Sequence, residues 1–479
     1  MLLKRLTMLL YCLLASSCLF AQNKKATLSN IMQTYHNYNM FDGAVLVAEN
    51  GKVVYKGAFG LANREWNIPN KTDTKFMLGS VSKPITATLM LIQVQKGLIS
   101  LNKTIADYLP EFKNKPAANV TIKQLLSHTG GIPNYDIIKD FFPRISRQNF
   151  TREDYVKVFM DSALSFTPGS RYFYSSWGYF TLGYIMERVT GKSYAQLMKD
   201  DIFDKLQMNN SGSYQHVQIV PNRATGYDYS FGGFTSADFR DQSNTMGTGD
   251  LYSTVDDLFT FHLALTNHTL LNKKLTDEML SPGMRPARYG YGWFNQNFKY
   301  TTEDSVAANF HLGMTEGFIS FILRIPSTNS FTIILCNSSP TDFFGITKNL
   351  VKVLYNKPVI IKEPIHKKTE TNITQLGAAK AVEAYKKMKA DTAHYYVDWI
   401  SMNFIAEQLL HLKRYEEARI IADNNVAEFP DKDLVMFTTG NIYGALNRKE
   451  DAIRFYKKTL QLYPGYQEAK NKLKELEGK

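Results

Sequence analysis

Short apolar runs in two distant parts of the chain predict strands. Gly43–Ala48 and Lys52–Tyr55 flank Glu49–Gly51, where the Asn-Gly pair is a strong hairpin signal. Far downstream, Phe318–Ile325 and Phe331–Cys336 form a second apolar pair around a polar turn. Strands at both ends with helices between them predict an α+β fold rather than alternating βαβ units.

A run that is apolar around most of its circumference, Ile85–Val94, predicts a buried helix that ends near Gly97. Pro84 lacks an N–H and fits only the first helical turn, so the helix is expected to begin at about Ser80. Because a buried helix holds its first turn still, the groups near Ser80 should be well positioned.

Ser80 and Lys83 are three residues apart and therefore share a face at this helix start. The lysine amine can reach the serine hydroxyl, and unpaired N–H groups at a helix N-terminus favour a developing oxyanion. This predicts a nucleophile beside its own base. The same spacing recurs at Ser100 and Lys103, after the helix, so the assignment to Ser80 depends on partners elsewhere in the chain.

Residues 1–21 are typical of a secretory signal, with a positively charged start, an apolar core over Leu6–Leu14 and a cleavage site after Ala21. The core is too short to span a bilayer comfortably. We therefore expect a secreted or periplasmic protein. Cys18 lies in an imperfect lipoprotein site, and membrane anchoring is expected only if this cysteine is lipidated.

Charge and cysteine content exclude several classes of function. The formal net charge is +12, but the lysines are spread out rather than gathered into a stripe with aromatics, so no nucleic-acid partner is predicted. After signal cleavage only Cys336 remains, which excludes an intramolecular disulfide, and its apolar strand predicts a core residue. No Cys/His cluster has metal-ligand spacing, and we expect neither a metal nor another cofactor.

The composition changes after the second strand pair. A polar, proline-bearing linker is predicted at 359–371, followed by an α-helical region over 372–479. A 34-residue period, typical of tetratricopeptide helix pairs, predicts repeats at 399–432 and 433–466. The positions that recur with this period are Ala406 and Gly440, Leu409 and Tyr443, Ala418 and Ala452, and Pro430 and Pro464. Such a tail could bind a protein partner.

Several segments, in one order along residues 27–358, resemble the class C β-lactamase and penicillin-binding-protein-like serine hydrolases. They are Phe76–Lys83 with Gly97–Leu101, Leu125–Pro133, Phe173–Tyr179, Gly249–Asp257, Tyr289–Trp293 and His311–Gly313. The resemblance implies a β-lactamase/transpeptidase-like antiparallel sheet flanked by helices, plus an all-helical subdomain. A small tetratricopeptide-like domain would follow it.

The same resemblance implies that Tyr174 is the second catalytic group, which moves the proton between Ser80 and the leaving group. A tyrosine base at neutral pH requires a stabilised anion, and Lys83 is the expected nearby cation. Ser176 stands where the family usually has asparagine, so a hydrogen bond to a substrate amide is expected to be weakened. His128 resembles a turn residue with a structural role.

The third motif, His311-Leu312-Gly313, is expected to contact substrate. Histidine at this position resembles the esterase and peptidase branches, whereas true class C β-lactamases usually have lysine. Leu312 also removes the usual hydroxyl donor. By analogy, the backbone N–H groups of Ser80 and Met314 would form the oxyanion hole.

We therefore expect a serine hydrolase that forms an acyl-enzyme on Ser80 and cleaves an ester or a D-amino-acid peptide. The substrate would be a small molecule or a peptide. Two alternatives stay open: a class C-like β-lactamase, and a catalytically weak penicillin-binding-like sensor or scaffold whose tail recruits partners. The sequence does not choose the acyl group.

Overall fold

The computed structural model describes residues 24–230, 233–339 and 341–478. The predicted signal peptide, residues 1–21 with Cys18, lies outside the described residues. The chain forms two compact units. One comprises the residues up to Asp228 together with Ser236–Val359, and the other comprises Tyr229–Thr235 together with Ile360–Lys479.

The first unit is built on a six-stranded antiparallel sheet in which the two predicted strand pairs meet. Gly43 pairs with Cys336 and Ala48 pairs with Phe331, so the early and late strands are direct neighbours. Across the sheet the order is Phe294–Lys299, Ser305–Thr315, Phe318–Ile325, Ser330–Cys336, Gly43–Glu49 and Lys52–Phe59. The prediction of an α+β fold with an antiparallel sheet is confirmed.

The first hairpin turns where the sequence predicts it. Asn50 and Gly51 both have positive φ, as a two-residue turn of type I′ requires. Shorter strands outside the main sheet are Leu61–Asn63, Ile68–Pro69, Phe76–Met77, Gly212–Ser213, Tyr227–Ser230, Gly233–Ser236, Leu251–Ser253 and Ser338–Ser339.

Helices cover the sheet and form the region between its two halves. A helix over 24–37 precedes the first strand. Those that follow are Ser82–Gln95, Ile105–Tyr108, Ile122–Leu126, Arg152–Lys157, Ser176–Thr190, Tyr194–Met198, Asp204–Leu206, Val255–Thr266, Lys273–Met279 and Phe343–Leu354. A π-helical turn, Lys199–Phe203, joins two of them.

The buried helix begins slightly later than predicted. A 3-10 turn, Gly79–Val81, comes first, and the α-helix spans Ser82–Gln95 with Pro84 in its first turn. Gly97 has φ of +75° and ends the helix, as expected. Residues 82–93 are all buried, so this helix is fixed on every side.

The second unit is helical. Its helices are Ile365–Leu376, Ala378–Ala390, Trp399–His411, Tyr415–Glu428, Asp433–Ala445, Lys449–Leu462 and Gln467–Glu477. Two short strands, Glu363–Pro364 and Tyr395–Tyr396, pair in parallel. Within the described residues, no helix has both the length and the apolar character needed to cross a bilayer.

The linker predicted at 359–371 is wrong in its second half, because a helix begins at Ile365. Ile365, Thr369 and Ile373 recur every four residues and are buried, so they form the apolar stripe of an amphipathic helix. The Thr369 hydroxyl donates to the Ile365 carbonyl at 2.9 Å, which removes one polar group from the buried face.

Each predicted repeat contains two helices, and its small residues are buried. Ala406, Ala418 and Ala452 have no exposed surface. A Cβ on Gly440 would lie 2.7 Å from the ring of Tyr456, which explains why a small residue recurs there. The assignment of these helices as tetratricopeptide repeats stays a prediction.

Candidate active site

The turn that holds Ser80 lies directly against the strand Ser305–Thr315. Gly79 has φ of +49°, and a Cβ at this position would lie 2.7 Å from the backbone nitrogen of Met314. On the turn's other side, the Leu78 N–H donates to the Leu251 carbonyl at 2.8 Å. Two strands therefore hold the turn, and Ser80 itself remains partly exposed.

Gly313 allows this close approach. A Cβ at Gly313 would lie 1.9 Å from the Leu78 carbonyl oxygen, which the Ser320 hydroxyl also contacts at 2.5 Å. The residue predicted to contact substrate thus has a packing role that only glycine can fill. The side chain of Met314 is 58% exposed, while its backbone lies beside the Ser80 turn, where the oxyanion hole is predicted.

The strand presents an open edge at the same place. Its pairing with Phe294–Lys299 ends at Phe310, whereas its pairing on the other side continues to Thr315. On the side that faces Phe294–Lys299, the backbone from His311 to Thr315 therefore has no strand partner. An extended substrate could form hydrogen bonds with this edge.

Lys83 is completely buried, and its Nζ lies 3.0 Å from Ser80 Oγ. The same nitrogen donates to the Thr248 carbonyl oxygen at 2.9 Å. Burial holds the pKa of Lys83 well below its usual value; the charge of Arg240 acts in the same direction, and Asp250 opposes it. These causes favour a neutral amine, the form that can accept a proton from serine.

Tyr174 completes the group around the serine. Its hydroxyl interacts with the Ser80 side chain, and Lys83 Nζ lies 4.8 Å from its ring centroid. Burial raises the pKa of Tyr174, and the bond to Ser80 offsets only part of that rise. The predicted pairing of a Lys83 cation with a Tyr174 anion is therefore disfavoured, because burial favours the neutral form of both groups.

His128 accepts hydrogen bonds from the backbone of the residues on either side of Tyr174. Its carbonyl accepts from the Phe173 N–H at 2.9 Å, and its Nδ1 accepts from the Ser175 N–H at 3.2 Å. The imidazole also packs on the Tyr174 ring, with centroids 4.3 Å apart. Sequence reasoning predicted a structural role for His128, and in the structure it bonds the two residues that flank Tyr174, the predicted second catalytic group.

His128→Gln is expected to lower kcat about 10- to 100-fold, because small displacements of a catalytic group are costly. The matched control is His128→Asn, whose side-chain oxygen can take the place of Nδ1 and which tolerates the φ of +55° found here. Steady-state kinetics with thermal unfolding of both variants checks this. Equal losses in the two variants would contradict it.

His311 is 1% exposed, and both of its ring nitrogens are bonded within the protein. Nδ1 lies 2.7 Å from the Leu312 carbonyl, which can only accept, so Nδ1 carries the proton and Nε2 accepts from the Tyr289 hydroxyl at 2.9 Å. Burial is the main cause that lowers the pKa of His311 to about 3. The ring is neutral, and its predicted substrate contact stays a prediction.

Residues 26–357 match the Beta-lactamase family. The chain belongs to this family. It is 30% identical over 370 residues to penicillin-binding protein 4* of Bacillus subtilis, covering 72% of this chain and 80% of that protein.

Two further relatives carry names that specify a substrate. A teichoic acid D-alanine hydrolase of Staphylococcus aureus is 28% identical over 266 residues, covering 54% of this chain and 64% of the relative. The crystal structure of D-amino acid amidase from Ochrobactrum anthropi, complexed with D-phenylalanine, superposes with a TM-score of 0.61 at 22% identity. That match covers 70% of this chain and 99% of the amidase, and it shows the fold alone.

Ser176, which departs from the usual Beta-lactamase family pattern, is 9% exposed at the first position of its helix. Its N–H donates to Asn134 Oδ1 at 3.0 Å. An amide side chain is thus present beside position 176, but it comes from a loop 42 residues earlier in the chain.

Sequence reasoning missed the groups around Lys83 that come from the loop before Leu251. Thr248 supplies a carbonyl to Lys83, and the buried Asp250 holds that loop by accepting from the Gly247 N–H at 2.8 Å and the Ser213 hydroxyl at 2.5 Å. Burial raises the pKa of Asp250 to about 6. In the sequence, the one signal for these groups was Asp250, which lies in the segment Gly249–Asp257 that resembles the family.

Metal-ligand clusters and cysteines were two further candidates for chemistry in the part of the chain that the structure describes. Across 24–230, 233–339 and 341–478, no group of three or more His, Cys, Asp or Glu side chains could hold a metal ion. Cys336 lies in the core of the sheet, where burial raises the pKa of its thiol. An inert core thiol is what its apolar strand predicted.

Proposed function

We propose that this protein is a cell-envelope serine hydrolase that cleaves an ester or an amide through an acyl-enzyme on Ser80. The observation that carries the proposal is the 3.0 Å distance from Lys83 Nζ to Ser80 Oγ, together with the complete burial of the lysine. Membership in the Beta-lactamase family supports this class of chemistry.

In the proposed reaction, the Lys83 amine takes the Ser80 proton while Oγ attacks the substrate carbonyl. The backbone N–H groups of Ser80 and Met314 would stabilise the resulting oxyanion. Tyr174 then donates its phenolic proton to the leaving oxygen or nitrogen, and the Lys83 ammonium returns a proton to the phenolate. Water hydrolyses the acyl-enzyme when the same pair removes its proton and returns one to Ser80 Oγ.

The substrate class follows from the relatives and from the surface charge. The teichoic acid D-alanine hydrolase named above supports a D-amino-acid substrate. A formal net charge of +12 would attract anionic envelope polymers. The secreted or periplasmic location expected from residues 1–21 is part of the same proposal.

A substrate panel tests the proposal. Short-chain p-nitrophenyl esters and D-alanyl peptides are expected to be turned over by the wild type, with Ser80→Ala as the control that loses turnover. Nitrocefin should acylate the wild type slowly, since the neutral His311 is a weak anchor for the carboxylate of a β-lactam.

Rapid turnover of nitrocefin alone would support the β-lactamase alternative instead. Absence of Ser80-dependent turnover on every substrate would support the sensor or scaffold alternative, in which the helical tail binds a protein partner.

A further inference from the structure

A cavity of about 320 Å³ with several charged groups in its wall lies at the end of the open-edged strand. Its wall includes Met77, three residues before the serine, Thr315, which ends the open-edged strand, and Glu316, which follows that strand. The cavity therefore continues the substrate edge beyond the predicted oxyanion position.

The position of the proton donor indicates which part of the substrate enters this cavity. The Tyr174 ring lies 6.3 Å from the His311 ring, at the other end of the unpaired edge. At about 3.3 Å per residue, the four steps from His311 to Thr315 span about 13 Å. Because the leaving group must depart beside its proton donor, the acyl group points towards Glu316.

The guanidinium of Arg240 lines the cavity and is held in a fixed orientation. Its Nε donates to Asn244 Oδ1 at 3.1 Å, and its Cζ lies 5.7 Å from the ring centroid of Tyr135 and 5.8 Å from that of Phe142. The side chain is 13% exposed. A planar cation supported in this way is prepared to bind a carboxylate through two parallel hydrogen bonds.

Arg240 has unused hydrogen-bonding capacity. Its Nη1 lies 3.9 Å from Glu316 Oε1, beyond hydrogen-bond distance, and Glu316 instead accepts from the Thr315 hydroxyl. Among the residues that the structure describes, no acceptor lies within hydrogen-bond distance of Nη1 or Nη2. A largely buried cation with a loose counter-ion gains most from an added anion.

The other charges of the cavity wall are already engaged. Asp238 pairs with Arg147 at 3.1 Å, and Arg223 stacks on the ring of Tyr214, with its Cζ 4.4 Å from the ring centroid. The charge of Arg240 also acts on Lys83, which places it within electrostatic range of the reaction centre. An ammonium group at the far end of the acyl chain, unlike one next to the scissile carbonyl, would be repelled by Arg240.

We propose that this cavity is the acyl subsite and that Arg240 binds a carboxylate carried by the acyl part of the substrate. The inference rests on the proposed function and adds a substrate class to it. Arg240 would supply the cationic anchor that the neutral His311 at the other end of the strand cannot provide.

Three p-nitrophenyl esters with acyl chains of matched length test this proposal: the mono-ester of adipic acid, its methyl ester and the ester of 6-aminohexanoic acid. The wild type should show the highest kcat/KM for the carboxylate ester and the lowest for the ammonium ester. Arg240→Gln should lower the carboxylate-to-neutral ratio about 10- to 100-fold, the value of hydrogen bonds to a charged group. The same ratio in Arg240→Lys should lie between those of the wild type and Arg240→Gln.

A change in the pKa of Lys83 caused by the loss of Arg240 would affect both esters equally, so it cancels in the carboxylate-to-neutral ratio. Turnover of the neutral ester shows that each variant is folded. An unchanged ratio in Arg240→Gln would overturn the proposal. So would a wild-type preference for the ammonium ester that is lost in Glu316→Gln, because that result assigns the cavity to a cationic group. If the wild type hydrolysed none of the three esters in a Ser80-dependent way, the proposed function itself would be refuted.

Discussion

Ser80→Ala is expected to reduce kcat/KM for every substrate of the wild type by about 10³-fold or more. The methyl group cannot attack a carbonyl, and the oxyanion donors and Lys83 remain in place without a nucleophile. Steady-state kinetics on the ester and D-alanyl peptide series measures the loss. The substitution removes a single hydroxyl from a partly exposed side chain, so the midpoint of thermal unfolding should change little.

The chain contains its own matched control for this substitution. Ser100 and Lys103 repeat the spacing of Ser80 and Lys83, but Ser100 is exposed and follows the end of the buried helix. Ser100→Ala should retain wild-type kinetics. If Ser80→Ala and Ser100→Ala behaved alike, the assignment of the nucleophile would be wrong.

Lys83→Met is expected to lower kcat about 10²- to 10⁴-fold, the usual contribution of a positioned general base. Methionine keeps much of the buried volume but has no lone pair basic enough to take the Ser80 proton. Lys103→Met is the control and should leave kcat unchanged.

The pH dependence gives this prediction a second test. Because the pKa of Lys83 is held well below 10.5, wild-type kcat/KM should rise with pH through that lowered pKa as the amine loses its proton. The rising limb should be absent in Lys83→Met. A rising limb that is identical in both proteins would assign the titration to another group.

Stability should change in the opposite direction to activity. Lys83 is protonated in the unfolded chain at neutral pH, but its folded-state pKa is lowered, so folding releases a proton and costs free energy below pH 10.5. Lys83→Met removes this cost. The variant should therefore have a free energy of unfolding at pH 7 equal to or higher than that of the wild type, measured by chemical denaturation.

Local sequence patterns predicted the elements that position the nucleophile. The Asn50-Gly51 hairpin, the apolar helix with Pro84 in its first turn and the glycine after it all follow from local chemistry. The contact between Ser80 and Lys83 follows from their spacing alone. The motif order along the chain added Tyr174, and the structure brings its hydroxyl to Ser80.

The remaining groups of the site could not be predicted because they meet only through long-range packing. His128 is 46 residues from Tyr174 in the sequence, and Thr248 is 165 residues from Lys83. Their contacts depend on loop paths that no periodicity encodes. The same applies to Arg240, which no motif in the sequence singled out.

The protonation states also required the fold. A sequence can place a lysine near a tyrosine, but only the fold shows that desolvation favours the neutral form of each group. Those are the forms that the proposed roles of lysine as base and tyrosine as proton donor require. In the second unit, the helix at Ile365 was missed because prolines and charges dominated the local composition.

Intact-mass measurement after treatment with a fluorophosphonate tests the central claim most directly, since it detects the covalent bond to Ser80 without assuming a substrate. The account predicts one adduct per wild-type chain, located on the peptide that contains Ser80 and retained in Ser100→Ala. No adduct on the wild type, or an adduct that persists in Ser80→Ala, would contradict it.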